Sequence, residues 1–358
     1  MRLLKIAGLL ILLAFAIAFP LLFPNPAITT VAVFTLMFAA AATAWNIFSG
    51  YTGYIALGHA VFFGTGAYTL AIMCQDWHIP AGYAPFYLLP LVGLVAAIIA
   101  IPLGIIALRT RRHTFIVITI AFFFIFQLMA YNLRGLTNGS AGIELPIPTW
   151  SGDFYNDPFY YVTLAVLLLA LVVSWWVRNS KYGLGLLAIR DDEDRALGLG
   201  VKTGPSKLTA FVISAFFVGI LGGVYAYFIE VGIYPAVVFD PLYDIAIALM
   251  SFMGGIGTLS GPIIGALILE PTQQYFTLAY GENGWYLVVY GAMFLVIILL
   301  LPRGIVPTIS ERWARWQASR RNTPEEVVVA VASGSAVAAS QETQPMVERN
   351  EGAKEVNL

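Results

Sequence analysis

Charged residues are scarce in this chain of 358 residues. Asp, Glu, Lys and Arg together make up 11% of it, whereas hydrophobic residues make up 59%. An average soluble domain is about 25% charged and about 45–50% apolar, so the chain has too few charges to cover a soluble surface. Its apolar runs are continuous rather than alternating and reach the ~18 residues that a membrane span needs. The composition predicts an all-α polytopic membrane protein.

Cysteine and histidine are also scarce. The one cysteine, Cys74, excludes an intrachain disulfide, and the three histidines are scattered along the sequence, so no metal site is expected. The chain has no G-x-x-x-x-G-K-[ST] stretch, the loop that cradles the phosphates of ATP. The pair Gly255 and Gly257 lacks the third glycine of a dinucleotide fingerprint. We therefore expect no metal, no cofactor and no enzymatic activity on this chain.

Long apolar runs are abundant and set the positions of the membrane helices. Hydropathy predicts spans at residues 6–23, 27–48, 54–74, 86–108, 114–131, 159–177, 208–230 and 285–301. A further apolar region, residues 241–280, is broken by glycines. The first run follows Arg2 and Lys5 as in a cleaved signal peptide, but its length of about 18 residues favours an uncleaved helix.

Lysine and arginine predict the orientation, because cytoplasmic loops retain them. The positive charges before the first span, in RTRRH at residues 109–113, in residues 179–207 and after the last span all fall on one side of the membrane. Only Arg134 falls on the other side. We therefore expect both termini in the cytoplasm and an even number of crossings.

An even number of crossings requires the region 241–280 to cross twice, or to enter and return. The pairs Asp240-Pro241 and Gly254-Gly255 leave only about 12 residues between them, against the ~20 that a span needs. The sequence therefore predicts a short or re-entrant helix at 242–253 with 257–280 as its partner, and about ten transmembrane or half-membrane helices in total. Such a break is tolerated only inside protein or beside a water-filled cavity, so it indicates a pathway.

The chain divides into two regions of different composition. Residues 1–321 form the predicted transmembrane domain, which includes a cytoplasmic loop at residues 179–207. Residues 322–358 are rich in Glu, Ala, Val, Ser and Gln and contain no aromatic residue. This composition predicts a disordered cytoplasmic tail.

Small residues recur at helical spacing, above all in SGYTGYIALGHAVFFGTGAY, residues 49–68. Membrane helices pack closely through small residues on one face. Three such faces are expected: Ala56-Ala60-Gly64, Ala215-Gly219-Gly223 and Gly257-Gly261-Gly265. Helix packing explains each face alone, but three faces and a break together favour backbone that also lines a pathway.

Several polar residues lie within the predicted spans. His59 has two interpretations: a packed histidine bonded to a neighbouring carbonyl or hydroxyl, or a polar group on a translocation pathway. Asn46, Gln127 and Asp244 leave the same choice open. A proton-relay role for His59 would need a carboxylate partner, and its own span contains none.

The most informative loop is NSKYGLGLLAIRDDEDRALGLGVKTGPSK, residues 179–207. Opposite charges at i and i+4, Arg190 with Asp194 and Asp191 with Arg195, support a helix. The glycines that follow end it. The sequence predicts a short amphipathic helix between two spans.

The apolar side chains of this helix need an explanation. Leu186, Ile189 and Leu197 would lie exposed on an isolated surface helix. A loop that only joins two spans has no use for an apolar edge. We expect a docking element for a cytoplasmic partner.

Four segments together resemble one family. They are SGYTGYIALGHAVFFGTGAY, AIRDDEDRALGLGV, KLTAFVISAFFVGILGGVYA (207–226) and MGGIGTLSGPIIGA (253–266). The chain resembles the LivM-type permeases of bacterial branched-chain amino acid ABC importers over roughly residues 30–305. The motifs are specific in combination, and the loop segment is the strongest of them.

The resemblance implies one subunit of a larger machine with the ABC importer permease fold. A second homologous permease of the LivH type, two cytoplasmic ATPase subunits and an extracytoplasmic substrate-binding protein would complete it. The expected activity is alternating-access transport of branched-chain, hydrophobic amino acids across the bacterial inner membrane.

The resemblance also implies site residues. The ATPase-coupling loop would be formed by Gly183, Ala188, Ile189, Arg190, Asp192, Ala196 and Gly198. The translocation path would be lined by Asn46, Gly53, Gly58, His59, Gly64, Gly66, Gly254, Gly255, Gly257, Thr258, Gly261 and Pro262. The acidic run at 191–194 departs from the family pattern, which leaves open which carboxylate contacts the ATPase.

Three alternatives remain open. A related importer for urea or short amides would share these motifs. A secondary carrier would have ionisable residues within its spans, and here they are scarce. An intramembrane protease is suggested by GTLSG at 257–261 with His59 as a base, although the serine spacing is one residue off.

Overall fold

The computed structural model describes residues 2–148, 150, 152, 154–229, 232–280 and 304–321, together with residues 288, 291, 292 and 295. These residues are mostly helical, and the one isolated bridge found among them is antiparallel, between Ile143 and Ile233. The chain divides into two units, residues 1–308 and residues 309–358.

The helices follow one another in chain order with short connections. They are α1 (Arg2–Leu22), α2 (Pro26–Trp45), α3 (Ala60–Asp76), α4 (Ala84–Tyr87), α5 (Leu89–Ala107), α6 (Arg112–Asn132), α7 (Arg134–Thr137), α8 (Asn156–Asn179), α9 (Lys181–Asp191), α10 (Glu193–Gly198), α11 (Thr203–Phe228), α12 (Pro235–Val238), α13 (Pro241–Gly254), α14 (Gly261–Tyr280) and α15 (Ile305–Arg321). A π turn follows α2, and a 3₁₀ turn follows α7.

The all-helical polytopic class is confirmed. Within the described residues, six segments are long and apolar enough to cross a membrane: Pro26–Gly50, Leu89–Ala107, Arg112–Asn132, Asn156–Asn179, Thr203–Phe228 and Pro235–Gly254. The expected total of about ten helices is not confirmed. The predicted span at 285–301 lies almost wholly outside the described residues, as does the predicted tail at 322–358.

The centre of the bundle is α11, which packs against both α3 and α5. Small residues make this close approach possible. Ala215 is fully buried, and a side chain at Gly219 or Gly223 would meet α5. Between helices in lipid, van der Waals contact replaces the hydrophobic effect. The predicted packing face at residues 215–223 is therefore confirmed.

The predicted span 54–74 begins later than expected. α2 continues into the π turn at Asn46–Gly50, and α3 begins only at Ala60. Gly53 interrupts the helix with a φ of 72°, a left-handed conformation that glycine adopts without strain. Ala56 therefore precedes α3, and the packing face predicted to start there is wrong.

The broken region 241–280 is confirmed. α13 and α14 are separated by a turn in which Gly255 and Gly257 have φ angles of 124° and 76°. The expected short or re-entrant helix at 242–253 is wrong, because α12 and α13 together form the 20-residue segment Pro235–Gly254, which is long enough to cross.

The third predicted packing face is right only in part. Gly257 lies in the turn before α14, so it shares no helix face with the glycines that follow it. Gly261 packs against the backbone of Gly254, and Gly265 packs against the backbone of Met250. These two glycines bring α13 and α14 together.

Candidate functional site: a helical loop tied to two helix breaks

Two interruptions of the membrane helices meet in the bundle. We call residues 46–59 the first break and residues 255–260 the second break. Asn46 joins them: its Nδ2 donates to the Thr258 carbonyl at 2.9 Å, and its Oδ1 accepts from the Gly257 amide at 2.7 Å. Asn46 is fully buried. It satisfies backbone groups that hydrocarbon cannot satisfy.

Side chains from neighbouring segments also bind the backbone of the first break. Trp45 Nε1 donates to the Ala56 carbonyl at 2.8 Å. The Leu57 amide donates to Thr119 Oγ1 on α6 at 3.2 Å. A side chain at Gly58 would overlap the Thr119 carbonyl. The glycine therefore allows the irregular backbone to reach α6.

Two further polar residues in the spans act on interrupted backbone. Asp244 of α13 is 3% exposed, and its Oδ1 accepts from the Ala60 amide at 3.0 Å, at the start of α3. A carboxylate is favourable at a helix N-terminus. Gln127 of α6 donates from Nε2 to the Phe239 carbonyl at 2.8 Å, between α12 and α13.

His59 lies at the end of the first break as a packed histidine. Its Nε2 is 2.7 Å from Ser214 Oγ on α11, and its ring meets Phe62 and Phe211 edge-on. It is fully buried, and its Nδ1 has no hydrogen-bond partner among the described residues. The nearest serine is therefore not Ser260 of GTLSG, which is exposed, so the arrangement proposed for a protease is not formed.

The loop between α8 and α11 differs from the single helix that the charge pattern predicts. α9 ends at Asp191, and Asp192 caps α10: its Oδ1 accepts from the Arg195 amide at 3.0 Å, and its Oδ2 lies 3.1 Å from Arg195 Nε. The expected pair of Asp191 with Arg195 is wrong. An N-cap satisfies free amides, and that favours the break.

The apolar residues of the loop also divide differently from the prediction. Leu186 and Ile189 are fully buried against the bundle, so their predicted exposure is wrong. Leu197 is exposed as predicted. Leu184 and Leu199 are exposed as well. The loop thus has an inner face packed on the membrane helices and an outer face of leucines.

Arg190 points towards the bundle. Its Nη1 donates to the Gly50 carbonyl in the first break at 2.9 Å. A side chain at Gly257 in the second break would overlap the same Nη1, and Gly53 packs against the stem of Arg190. The predicted pair of Arg190 with Asp194 is therefore replaced by contacts with both breaks.

A second arginine holds the end of α9. Arg112, at the start of α6, donates from Nη2 to the carbonyls of Ile189 at 2.9 Å and Arg190 at 2.7 Å. These carbonyls lie in the last turn of α9, where a cation is favourable. The RTRRH sequence thus acts as a cap as well as a topological signal.

Three side chains tie α10 to the first break. Glu193 accepts from Tyr54 Oη and from Lys207 Nζ of α11, both at 2.5 Å, and Lys207 lies 4.4 Å from the centre of the Tyr54 ring. Burial alone would raise the pKa of Glu193. The hydrogen bonds and the charge of Lys207 outweigh burial and hold that pKa below its ordinary value.

The remaining predicted path residues serve helix packing. A side chain at Gly64 would overlap the Phe239 ring, and one at Gly66 would overlap the Gly219 carbonyl. Pro262 is buried in the first turn of α14, a position that proline tolerates. These residues surround the breaks.

The remaining predicted coupling residues fall into two groups. Gly183 lies against the Val177 carbonyl at the junction of α8 and α9, and Ala196 is buried. Ala188 is half-buried, while Gly198 is exposed with open space around it. The predicted loop therefore contains residues that hold the fold and residues that a partner can reach.

Sequence reasoning missed several residues of this site: Ser49, Tyr54, Arg112, Thr119, Glu193, Lys207 and Ser214. Their partners are far away in the sequence; Tyr54 and Glu193, for example, are 139 positions apart. One signal was available. Lys207 opens an apolar span, and a cation there needs an anionic partner.

The comparison with known families follows the same boundaries. The model of a family described as the branched-chain amino acid transport system, permease component, matches residues 27–298. The match includes both breaks and the whole loop. The chain belongs to this family.

Individual relatives of this permease agree. The high-affinity branched-chain amino acid transport permease LivM of Salmonella typhimurium is 26% identical over 84% of this chain and 74% of its own length. LivH of Escherichia coli K12 is 24% identical over 75% of this chain and 91% of its own. The autoinducer 2 permease LsrC of Yersinia pseudotuberculosis is 27% identical over 49% of each chain. No solved structure matches the permease significantly.

The tie between α10 and the first break leads to a stability prediction for the permease. In Glu193→Gln, Lys207 keeps its charge with 4% of its side chain exposed but loses its anion, so we expect a loss of about 1.5–3 kcal/mol. Because the folded pKa of Glu193 is depressed, the tie stabilises the fold above the ordinary value of 4.5 and is lost as the pH falls through the lowered value.

The measurement is thermal unfolding of the purified permease in detergent. Wild type and Glu193→Gln should differ by the same amount at neutral and mildly alkaline pH and converge only in acid. The matched control is Glu144→Gln, at an exposed carboxylate. Equal melting temperatures for wild type and Glu193→Gln at neutral pH would contradict the prediction.

Proposed function

We propose that this permease is one of two membrane subunits of an ATP-driven importer that moves branched-chain, hydrophobic amino acids across the bacterial inner membrane. Family membership supports the class. The observation that carries the mechanism is the loop of α9 and α10, which combines an outer apolar face with side-chain ties to both breaks. A loop that only connects two spans needs neither feature.

The proposed partners follow from what the chain does not carry. Without a phosphate-binding loop, ATP hydrolysis belongs to two separate cytoplasmic ATPase subunits. A second homologous permease of the LivH type completes the pathway, and the similarity of this chain to LivH supports such a pairing. An extracytoplasmic binding protein delivers the substrate.

The proposed contact with the ATPases is the outer face of the loop. We call Leu184, Leu197 and Leu199 the docking surface; they are 63%, 60% and 84% exposed. Asp192 and Gly198 of the predicted coupling set belong to the same stretch of chain. The positive-inside pattern supports a cytoplasmic position for this loop and for both termini.

The proposed movement starts at the docking surface. Closure of the ATPases pushes on α9 and α10, the helices rock against each other, and access to a central pathway alternates between the two sides. The breaks supply the pathway with backbone at membrane depth, which tolerates a zwitterion. The apolar surroundings suit an aliphatic side chain.

The test is uptake of radiolabelled leucine by proteoliposomes that contain the permease and its three kinds of partner subunit. We expect uptake that requires enclosed ATP, persists without an ion gradient, and is inhibited by excess isoleucine or valine. Inhibition by urea or short amides alone would replace the proposed substrate. Uptake driven by an ion gradient without ATP would favour a secondary carrier.

A further inference from the structure

We propose that Arg190 and Asn46 are positioning residues that lock the loop to both breaks, so that the loop and the breaks move as one body. This inference rests on the proposed function and assigns Arg190 a role distinct from ATPase contact. The resemblance to the family placed Arg190 among the coupling residues without distinguishing the two roles.

The first argument is the direction of the Arg190 side chain. Its guanidinium donates to Gly50 at 2.9 Å and lies against Gly257. The leucines of the docking surface are on the solvent side of the same loop. A single short loop therefore carries one set of residues that a partner can reach and another that faces the breaks.

The second argument is that Asn46 completes the same cluster from the other side. Its amide bonds both Gly257 and Thr258. A side chain at Gly50 would overlap this amide, and one at Gly257 would lie 3.0 Å from the Gly50 carbonyl. Two glycines thus leave room for two polar side chains, and each of those side chains crosses from one segment to another.

The third argument is energetic. A guanidinium is always charged, and one that is half-buried loses water on that side. The Gly50 carbonyl compensates for part of this loss. Separating the loop from the breaks would leave Arg190, Gly50 and the Gly257 amide without these partners, and unpaired buried groups are costly. Moving the segments together avoids this cost.

The experiment measures uptake and ATP hydrolysis on the same reconstituted importer. In Arg190→Met, which keeps the length of the side chain but has no donors, the ATPases should still assemble and hydrolyse ATP. The amount of leucine transported per ATP should fall about tenfold. Asn46→Leu should have the same effect, and the double variant should be no worse than either single one.

Two matched variants separate this role from others. Arg134→Met makes the same substitution at an exposed arginine on α7, and its transport per ATP should equal that of wild type. Leu197→Asp changes the docking surface and should reduce ATPase assembly itself. Normal transport per ATP in Arg190→Met, or loss of ATPase assembly with that variant, would overturn the proposal.

A distance measurement on the isolated permease does not depend on transport. Spin labels at Leu199→Cys and Ser260→Cys, both exposed positions, report the separation of the loop from the second break; the native Cys74 is buried. We expect one narrow distance distribution in the wild-type background and a broad one in Arg190→Met and Asn46→Leu. Equally narrow distributions would overturn the lock, whereas absence of ATP-driven uptake in wild type would instead remove the proposed function.

Discussion

Replacement of Gly222 by alanine is expected to prevent the permease from folding. A methyl group at Gly222 would overlap the carbonyl oxygen of Phe63 on α3, at the closest approach of the two helices. The opposing atom is backbone, so no side chain can rotate away. Overpacking typically costs about 1–3 kcal/mol and occasionally more; we expect the upper end, well above the ~1 kcal/mol that alanine gains in a helix.

The measurement is the amount of monodisperse protein recovered from membranes. Gly204→Ala provides the control, because Gly204 lies on the same helix with open space around it. Gly222→Ala should lower the recovery about tenfold, and Gly204→Ala should leave it unchanged. Normal recovery of Gly222→Ala would show that α3 and α11 do not pack as described.

Negative charge on the docking surface is expected to abolish ATP-driven uptake while the permease still folds. Leu197→Glu and Leu199→Glu each place a carboxylate on an exposed residue, so the fold loses no core packing. In an apolar interface the carboxylate would have to give up its water, and an unpaired charge there is costly.

Two readouts on the same sample test this prediction. The double variant should elute as wild type does and retain its melting temperature, but co-purify with about tenfold less ATPase. Leu136→Glu is the control, since Leu136 is an exposed leucine on α7, outside the loop. Full ATPase recovery with the double variant would exclude this surface as the docking site.

The sequence predicts the parts of this fold that depend on local pattern. Hydropathy places α5, α6, α8 and α11 because a span is a continuous apolar run. The glycines around residue 255 predict the second break because positive φ angles favour glycine. Both signals are contained in short windows of the chain.

The first break was missed because long-range bonds decide where α3 begins. The stretch before Ala60 is apolar enough for a helix, but Trp45, Thr119 and Asp244 satisfy its backbone in a non-helical form. None of these pairings leaves a trace in hydropathy. Tertiary hydrogen bonds therefore override the local preference.

The loop shows the same limitation in its charges. Pairs at i and i+4 contribute only about 0.2–0.5 kcal/mol in a helix. The structure uses Asp192 as a cap and Arg190 as a contact to the breaks instead. The pattern identified the important loop, but the direction of each side chain depends on segments elsewhere in the sequence.

The central claim is that this permease works as the membrane subunit of an ATP-driven importer. Its most direct test is gentle purification of the tagged chain from native membranes, with stoichiometric partners identified by mass spectrometry. The account predicts an ATPase pair and a second permease in fixed ratio, with the ATPases lost from a Leu197→Glu, Leu199→Glu chain. Recovery of the chain alone, or as a homo-oligomer without any ATPase, would contradict it.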